Sequence, residues 1–195
     1  MEILKIDKDK PTKEAIDKIV SSLLAGKVLA YPADTVYALG CRADNLRAIN
    51  RVYRIKGRTW QKKPLVLISS YAMLKKYFFV SKKQLDFLET IWPGPITVIL
   101  KTRGFLPKKL NSEIGLSVRL PKSFFLTKII KELGCPLIST SLNKSGEPVL
   151  GSVENLHEYL DKYKPDLALD AGFKKGKPSR LLDITDLNNI KILRK

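Results

Sequence analysis

Helical and extended patterns alternate along this chain from one end to the other, and that alternation restricts it to a layered sheet-and-helix fold. "PLVLIS", "ITVIL" and "CPLIS" are continuous apolar runs bounded by polar or turn residues, the pattern of strands buried on both faces. "GLSVRLP" alternates instead, with Leu116, Val118 and Leu120 on one face and Ser117 and Arg119 on the other. "KVLAY" reads as a strand stopped by Pro32, and "DLALD", "RLLDIT" and "IKILR" supply the last strands.

Between them lie helical stripes. "TKEAIDKIVSSLLAG" aligns Ile16, Ile19, Val20, Leu23 and Leu24, with Thr12 as N-cap and Gly26 past the end. "ADNLRAINRVYRIKG" reads as a helix capped by Asp44, turned inward at Leu46, Ile49 and Tyr53, and ended by Gly57. "SYAMLKKYF", "SKKQLDFLETIW" capped by Ser81, and "SFFLTKIIKELG" ended by Gly134 follow the same logic. "SVENLHEYLDKY" predicts a helix burying Val153, Leu156, Leu160 and Tyr163, with His157 on its outer side. The expected fold is α/β or α+β, one mixed sheet with helices on its faces.

At 195 residues and 44% hydrophobic content the chain can bury a core as one domain, or at most two small ones. "MEILKIDKDKP" has no apolar signal region, and the apolar runs are too short to cross a bilayer. Cys41 and Cys135 stand alone and His157 is the sole histidine, which excludes a Cys/His zinc cage and a histidine-dependent triad. The expectation is a soluble cytoplasmic protein with no membrane segment. The net charge of +17 predicts attraction to phosphate, although surface lysines also produce such a charge merely by solvating a face. Arg42, Arg47, Arg51, Arg54 and Arg58 crowd one region, and arginine is the better phosphate fork.

Polar residues collect where strands meet loops. Asp34 and Thr35 follow Pro32, Lys56 and Arg58 flank Gly57 at a helix end, and Ser139, Ser141 and Asn143 close a buried strand. Ser179 enters a late strand. Each has an ordinary structural explanation, since cations favour helix C-termini and Ser and Asn favour turns. Together they can clamp a triphosphate and offset charge on a transferring phosphoryl group. There is no glycine-rich Walker loop and no close carboxylate cluster, so no protein-built metal site is expected. Magnesium would be bound through phosphate oxygens and water.

"YPADTVYALG", "KGR", "KPLVLI", "WPGPITVIL", "GLSVRLP", "PLISTSLNKSGEP" and "GKPSRLLDIT" occur in an order and spacing that resembles the YrdC-like domain family. The resemblance runs from about Val28 to the C-terminus. It implies a mixed, twisted sheet around a basic concave surface, and a single domain over 1–195 with no additional C-terminal domain. It also implies threonylcarbamoyl-AMP synthesis from L-threonine, bicarbonate and ATP, serving threonylcarbamoyladenosine modification of tRNA. The family's K-x-R pair falls on Lys56 and Arg58, and its S-x-N pair on Ser141 and Asn143, as catalytic and ATP-binding residues. Ser139 and Arg194 fall at further ATP-binding positions. Thr35, Arg119 and Ser179 fall where threonine is held, with Arg119 the partner of its carboxylate. Further partners implied are tRNA or RNA and the downstream threonylcarbamoyl-transfer machinery.

The chain departs from the synthase pattern at Ala33 and Ala38, at Thr59 after K-x-R with one extra residue before Pro64, and at Ile68. Leu142 stands in the middle of S-x-N where alanine is usual. "YALGC" and "STSL" are closer to the YciO-like branch, which keeps a second reading open: an RNA- or tRNA-binding protein without synthase activity. A domain of carbamoyl-transfer maturation enzymes is a more distant third.

Overall fold

The computed structural model describes residues 1–160 and 162–195. The chain opens on strand β1 (Glu2–Lys5) and helix α1 (Lys13–Leu24), then strands β2 (Leu29–Pro32) and β3 (Tyr37–Gly40). Helix α2 (Leu46–Lys56), strand β4 (Leu65–Leu67) and helices α3 (Tyr71–Tyr77) and α4 (Lys82–Ile91) come next. Strands β5 (Ile96–Leu100) and β6 (Leu116–Arg119) lead into helix α5 (Phe124–Leu133) and strand β7 (Leu137–Ser141). A single turn α6 (Leu156–Tyr159) precedes β8 (Leu167–Asp170), β9 (Arg180–Asp183) and β10 (Lys191–Arg194).

The ten strands form one mixed sheet in the order β1-β8-β2-β3-β7-β4-β6-β5-β9-β10. β1 with β8, β2 with β8, β4 with β6 and β5 with β9 run parallel, and the remaining neighbours are antiparallel. The two-residue period of the central strands divides their side chains between two cores. On one face α1 and α5 lay Ile16, Ile19, Leu23, Phe125, Ile129 and Leu133 over Leu29, Tyr31, Leu67 and Leu137. On the other, Ile49, Val52, Leu74, Leu88 and Trp92 cover Ala30, Leu39, Val66, Val98, Val118 and Ile138. The fold is therefore α+β with helices on both faces.

The capping signals are read correctly at most ends. The Thr12 hydroxyl accepts from Ala15 N, Ser81 and Gln84 form a reciprocal capping box, and Gly57 (φ 59°) ends α2 in the left-handed region. At the start of α2 the cap is Asn45, which accepts from Ala48 N at 3.0 Å, rather than Asp44. The Asp44 carboxylate is occupied by Arg42 Nε and Nη2 at 2.9 and 2.6 Å. Leu46, expected inward, is exposed because the helix starts there and its stripe faces the sheet from Ala48 onward.

The helix expected over 152–163 reduces to α6, and Asp161 of that stretch lies outside the described residues. Val153, Leu156 and Leu160 are buried as expected, whereas Tyr163 is exposed. No side chain caps this turn; it is held by burial and by the Tyr159 hydroxyl, which accepts from Lys144 N at 2.7 Å and donates to Glu147 Oε2 at 2.6 Å. His157 is exposed. β1 and β3 were not expected. β1 is an edge strand with charged residues at both ends, and β3 follows β2 after four residues. Among the described residues no helix is long and apolar enough to cross a membrane.

Candidate active site

The face that α1 and α5 cover continues past them as a polar cleft. Leu137, Ser139 and Ser141 share one side of β7, so the same row passes from apolar core to hydroxyls as the helices end. Register carries the pattern across neighbouring strands: Ser139 stands opposite Leu65, and Leu65 opposite Ser117. Thr97, one residue before Val98 in its pairing with Val118, adds a hydroxyl from β5.

Arg58, Lys63, Arg119 and Arg194 line this cleft, and among the described residues no carboxylate does. Of the residues singled out in the sequence, Thr35, Arg58, Arg119, Ser139, Ser141, Ser179 and Arg194 all line it. Of the crowded arginines only Arg58 reaches it. Arg42 is bound to Asp44 and Arg51 forks onto Asp166 at 2.7 and 2.9 Å, while Arg47 and Arg54 are exposed elsewhere. For Arg42 and Arg51 that corrects the phosphate reading, because carboxylates already occupy their forks.

Lys56 and Asn143 stand behind the cleft wall. Lys56 is 4% exposed and donates from Nζ to Ser141 O at 2.6 Å, Asn143 O at 3.0 Å and Asn143 Oδ1 at 2.8 Å. The Ser141 hydroxyl donates to the same Oδ1 at 2.7 Å, and Asn143 Nδ2 donates to Glu147 O at 2.6 Å. The K-x-R and S-x-N motifs are thus joined directly, with Ser141 and Arg58 as their cleft-facing members. Burial, and then the Arg58 charge, push the Lys56 ammonium down to about 8.

Arg58 is held from β7 and from its own loop, donating to Thr140 Oγ1 at 3.1 Å and Lys63 O at 2.8 Å. Its Nε is buried with no partner among the described residues. The loop after it is pinned by Trp60, stacked on Tyr53 at 4.2 Å, and by the Tyr53 hydroxyl donating to Lys62 O. Arg194 donates from Nε to Ser179 O at 2.9 Å and from Nη2 to Ser179 Oγ at 3.2 Å. Burial lowers the Arg58 and Arg194 pKa values, and like charge adds to it, from Arg194 on Arg58 and from Arg119 on Arg194. Mutual repulsion of this kind is relieved by a bound anion.

The loop over 171–179 closes one side. The Tyr37 hydroxyl donates to Gly172 O at 2.8 Å and accepts from Ala171 N at 2.9 Å. Gly176 lies so close to the β2–β3 loop that a Cβ there would fall 2.0 Å from Thr35 O. Ser179 then shares a 2.8 Å hydrogen bond with Thr97. Thr97 and Lys63 were missed. A threonine inside the apolar run "ITVIL" was the available signal for the first, and the lysines after K-x-R for the second.

Ile68 and Leu142, both departures from the synthase pattern, are fully buried in the apolar core rather than in the cleft. Among the described residues no group of His, Cys, Asp and Glu side chains is placed to hold a metal ion. A lining of cations and hydroxyls does not fit a protein-held divalent cation.

The family model for Sua5, YciO and YrdC, described as "Telomere recombination", matches residues 21–195. The chain belongs to this family. A relative named threonylcarbamoyl-AMP synthase from Photorhabdus laumondii is 32% identical over 174 residues, covering 87% of this chain and 91% of that protein. One of the same name from Yersinia enterocolitica is 29% identical, covering 80% and 84%. Among solved structures, E. coli YciO superposes with a TM-score of 0.90 at 27% identity, covering 100% of this chain and 96% of that one. P. abyssi Sua5 complexed with L-threonine gives 0.89 at 25% identity; it matches all of this chain, which spans 57% of that protein.

Proposed function

We propose that this protein is an L-threonylcarbamoyladenylate synthase, converting L-threonine, bicarbonate and ATP into threonylcarbamoyl-AMP and pyrophosphate. One observation carries the reading: the K-x-R and S-x-N motifs meet at a cleft lined by Arg58, Lys63, Arg119 and Arg194 and, among the described residues, by no carboxylate. Such a lining suits two anionic reactants that repel each other. The names of the Photorhabdus and Yersinia relatives and the threonine complex of P. abyssi Sua5 support it.

The threonine amine takes up bicarbonate, losing water, to give a carbamate. A carbamate oxygen attacks the α-phosphorus of ATP, the bond to the β-phosphate oxygen breaks, and pyrophosphate leaves. Catalysis is positioning and charge stabilisation. Arg58 and Arg194 hold phosphate oxygens, Ser139 and Ser141 orient them, and Lys56 and Asn143 fix the wall from behind. Arg119 takes the threonine carboxylate, with Thr35 and Ser179 on the rest of that substrate. Magnesium arrives on the triphosphate, and the product passes to a threonylcarbamoyl-transfer step on tRNA.

The test is pyrophosphate release from ATP with threonine and bicarbonate present, and with each omitted in turn. Release that requires both supports the synthase, and release indifferent to threonine rejects it. The second reading, a YciO-like RNA-binding protein, draws on the +17 charge and the 96% coverage of E. coli YciO. It requires tRNA affinity that falls steeply with salt and no threonine-dependent turnover.

A further inference from the structure

Asp34 was singled out in the sequence beside Thr35, yet the reaction above gives it no role. It sits in the loop between β2 and β3 with its side chain 11% exposed, against an Arg119 side chain 1% exposed. Arg119 Nη1 donates to both Asp34 oxygens at 2.7 Å, and Lys122 N donates to Asp34 Oδ2 at 3.0 Å. Nη1 also approaches Gly94 O at 3.4 Å. The carboxylate therefore ties the end of β6 to the β2–β3 loop through a single guanidinium nitrogen.

A guanidinium this deeply buried needs a counter-charge, and the other cleft cations, Arg58, Lys63 and Arg194, all share its sign. Asp34 supplies that charge with no substrate present. It does so without occupying the side of the guanidinium formed by Nε and Nη2. Nε is buried with no partner among the described residues. Two parallel N–H groups on one guanidinium edge are the geometry that receives a carboxylate.

We propose that Asp34 is a positioning residue for recognition of the amino-acid carboxylate. It holds Arg119 by Nη1, so that the Nε edge is preset for the substrate before the substrate arrives. Ordering the arginine in advance removes a cost that binding would otherwise carry. This rests on the threonine reading above and adds to it a residue that acts through Arg119 rather than on the substrate.

The experiment measures KM for threonine and for ATP, with kcat, in wild type, Asp34→Asn and Asp34→Glu, and repeats Asp34→Asn in an Arg119→Lys background. Expected for Asp34→Asn is a threonine KM raised about tenfold or more, an ATP KM within about twofold, and most of the effect lost in the Arg119→Lys background. Asp34→Glu keeps the counter-charge for folding but displaces the carboxylate by a methylene. It too raises the threonine KM selectively, and it decides the question if Asp34→Asn does not fold. A threonine KM unchanged in both variants, or an equal rise for ATP, overturns the role of Asp34 and leaves the synthase reading standing. Wild-type turnover that ignores threonine removes both.

Discussion

Lys56 Nζ lies 2.8 Å from Asn143 Oδ1, so the two motifs of the cleft are one hydrogen-bonded unit and not two sets of groups that meet only at a ligand. The same ammonium caps the carbonyls of Ser141 and Asn143, where β7 gives way to its loop. All three of its protons are used inside the wall. Whatever Lys56 contributes to turnover passes through the position of Ser141 and the field behind it.

Removing either partner therefore disturbs the same wall. Lys56→Met strands two carbonyls and Asn143 Oδ1, each at about 1–3 kcal/mol if left buried and unpaired. Asn143→Ala removes the acceptor that both Lys56 and Ser141 use. Both variants should lose most pyrophosphate release. The double variant should fall short of the summed single losses by about 1 kcal/mol or more, as contacting residues do. A cycle on kcat/KM checks this, and strict additivity would separate the residues.

Lys56 also predicts a pH dependence of stability. Its ammonium is pushed down to about 8 in the fold from an ordinary value of 10.5. Between those values the unfolded chain holds the proton that the folded chain has released, so this residue adds stability as pH rises from about 8 to 10.5. Below about 8 both states are protonated and the contribution is flat. Denaturant curves at pH 7, 8, 9 and 10 should show wild type gaining on Lys56→Met by up to about 3 kcal/mol. A difference constant with pH means that the three carbonyl oxygens hold the proton throughout.

Arg58 faces the cleft itself, anchored by Thr140 and Lys63 O. Arg58→Ala should lower turnover by about 10²–10³ while the fold persists, the usual loss for one charge-stabilising donor. Arg58→Lys should rescue little, because an ammonium cannot span both anchors and still present a fork. Initial rates with circular dichroism as the folding control decide it, and a fully active Arg58→Lys would reduce its role to charge alone.

The sheet and its helices were legible because each stretch has one dominant period: the apolar runs of β4, β5 and β7, and the stripes of α1, α2 and α5. What escaped is what depends on neighbours. β1 has charges at both ends and gains its place by lying parallel to β8, with Leu4 packed against the core. The helix expected over 152–163 buries Val153, Leu156 and Leu160 but not Tyr163, and among the described residues it forms one helical turn. In the site, residue types and motif order pointed to Thr35, Ser139, Ser141, Ser179 and Arg58, which line the cleft, but not to Thr97. They could not show that Lys56 and Asn143 point at each other, nor that Arg42 and Arg51 already hold carboxylates. Those facts are set by contacts between residues as far apart as Arg51 and Asp166.

Gly176 is expected to be sensitive for a reason of space. Any Cβ there meets Thr35 O at 2.0 Å, so Gly176→Ala must lift the 171–179 loop off the β2–β3 loop. Ser179 and Thr35, on opposite sides of that contact, would separate. The threonine KM should rise several-fold, with a stability loss of about 1–3 kcal/mol from overpacking. Lys175→Ala, at an exposed position of the same loop, is the control and should behave as wild type. If both variants keep the wild-type KM, the close approach of the two loops has no part in binding.

Leu142, between the two polar members of S-x-N, gives the opposite expectation. Its side chain is fully buried in the core that packs Val153, Leu156 and Leu160 beneath the β7 end, and it does not line the cleft. Leu142→Ala, which restores the residue usual in the synthases, should cost about 2–5 kcal/mol through lost burial and the cavity left behind. Threonine and ATP KM values measured below the lowered melting temperature should stay within about twofold of wild type, since surface and ligand contacts are untouched. Thermal denaturation and steady-state kinetics on one preparation test both halves. An unchanged melting temperature with an altered KM would mean that Leu142 shapes the pocket, as its place in the motif first implies.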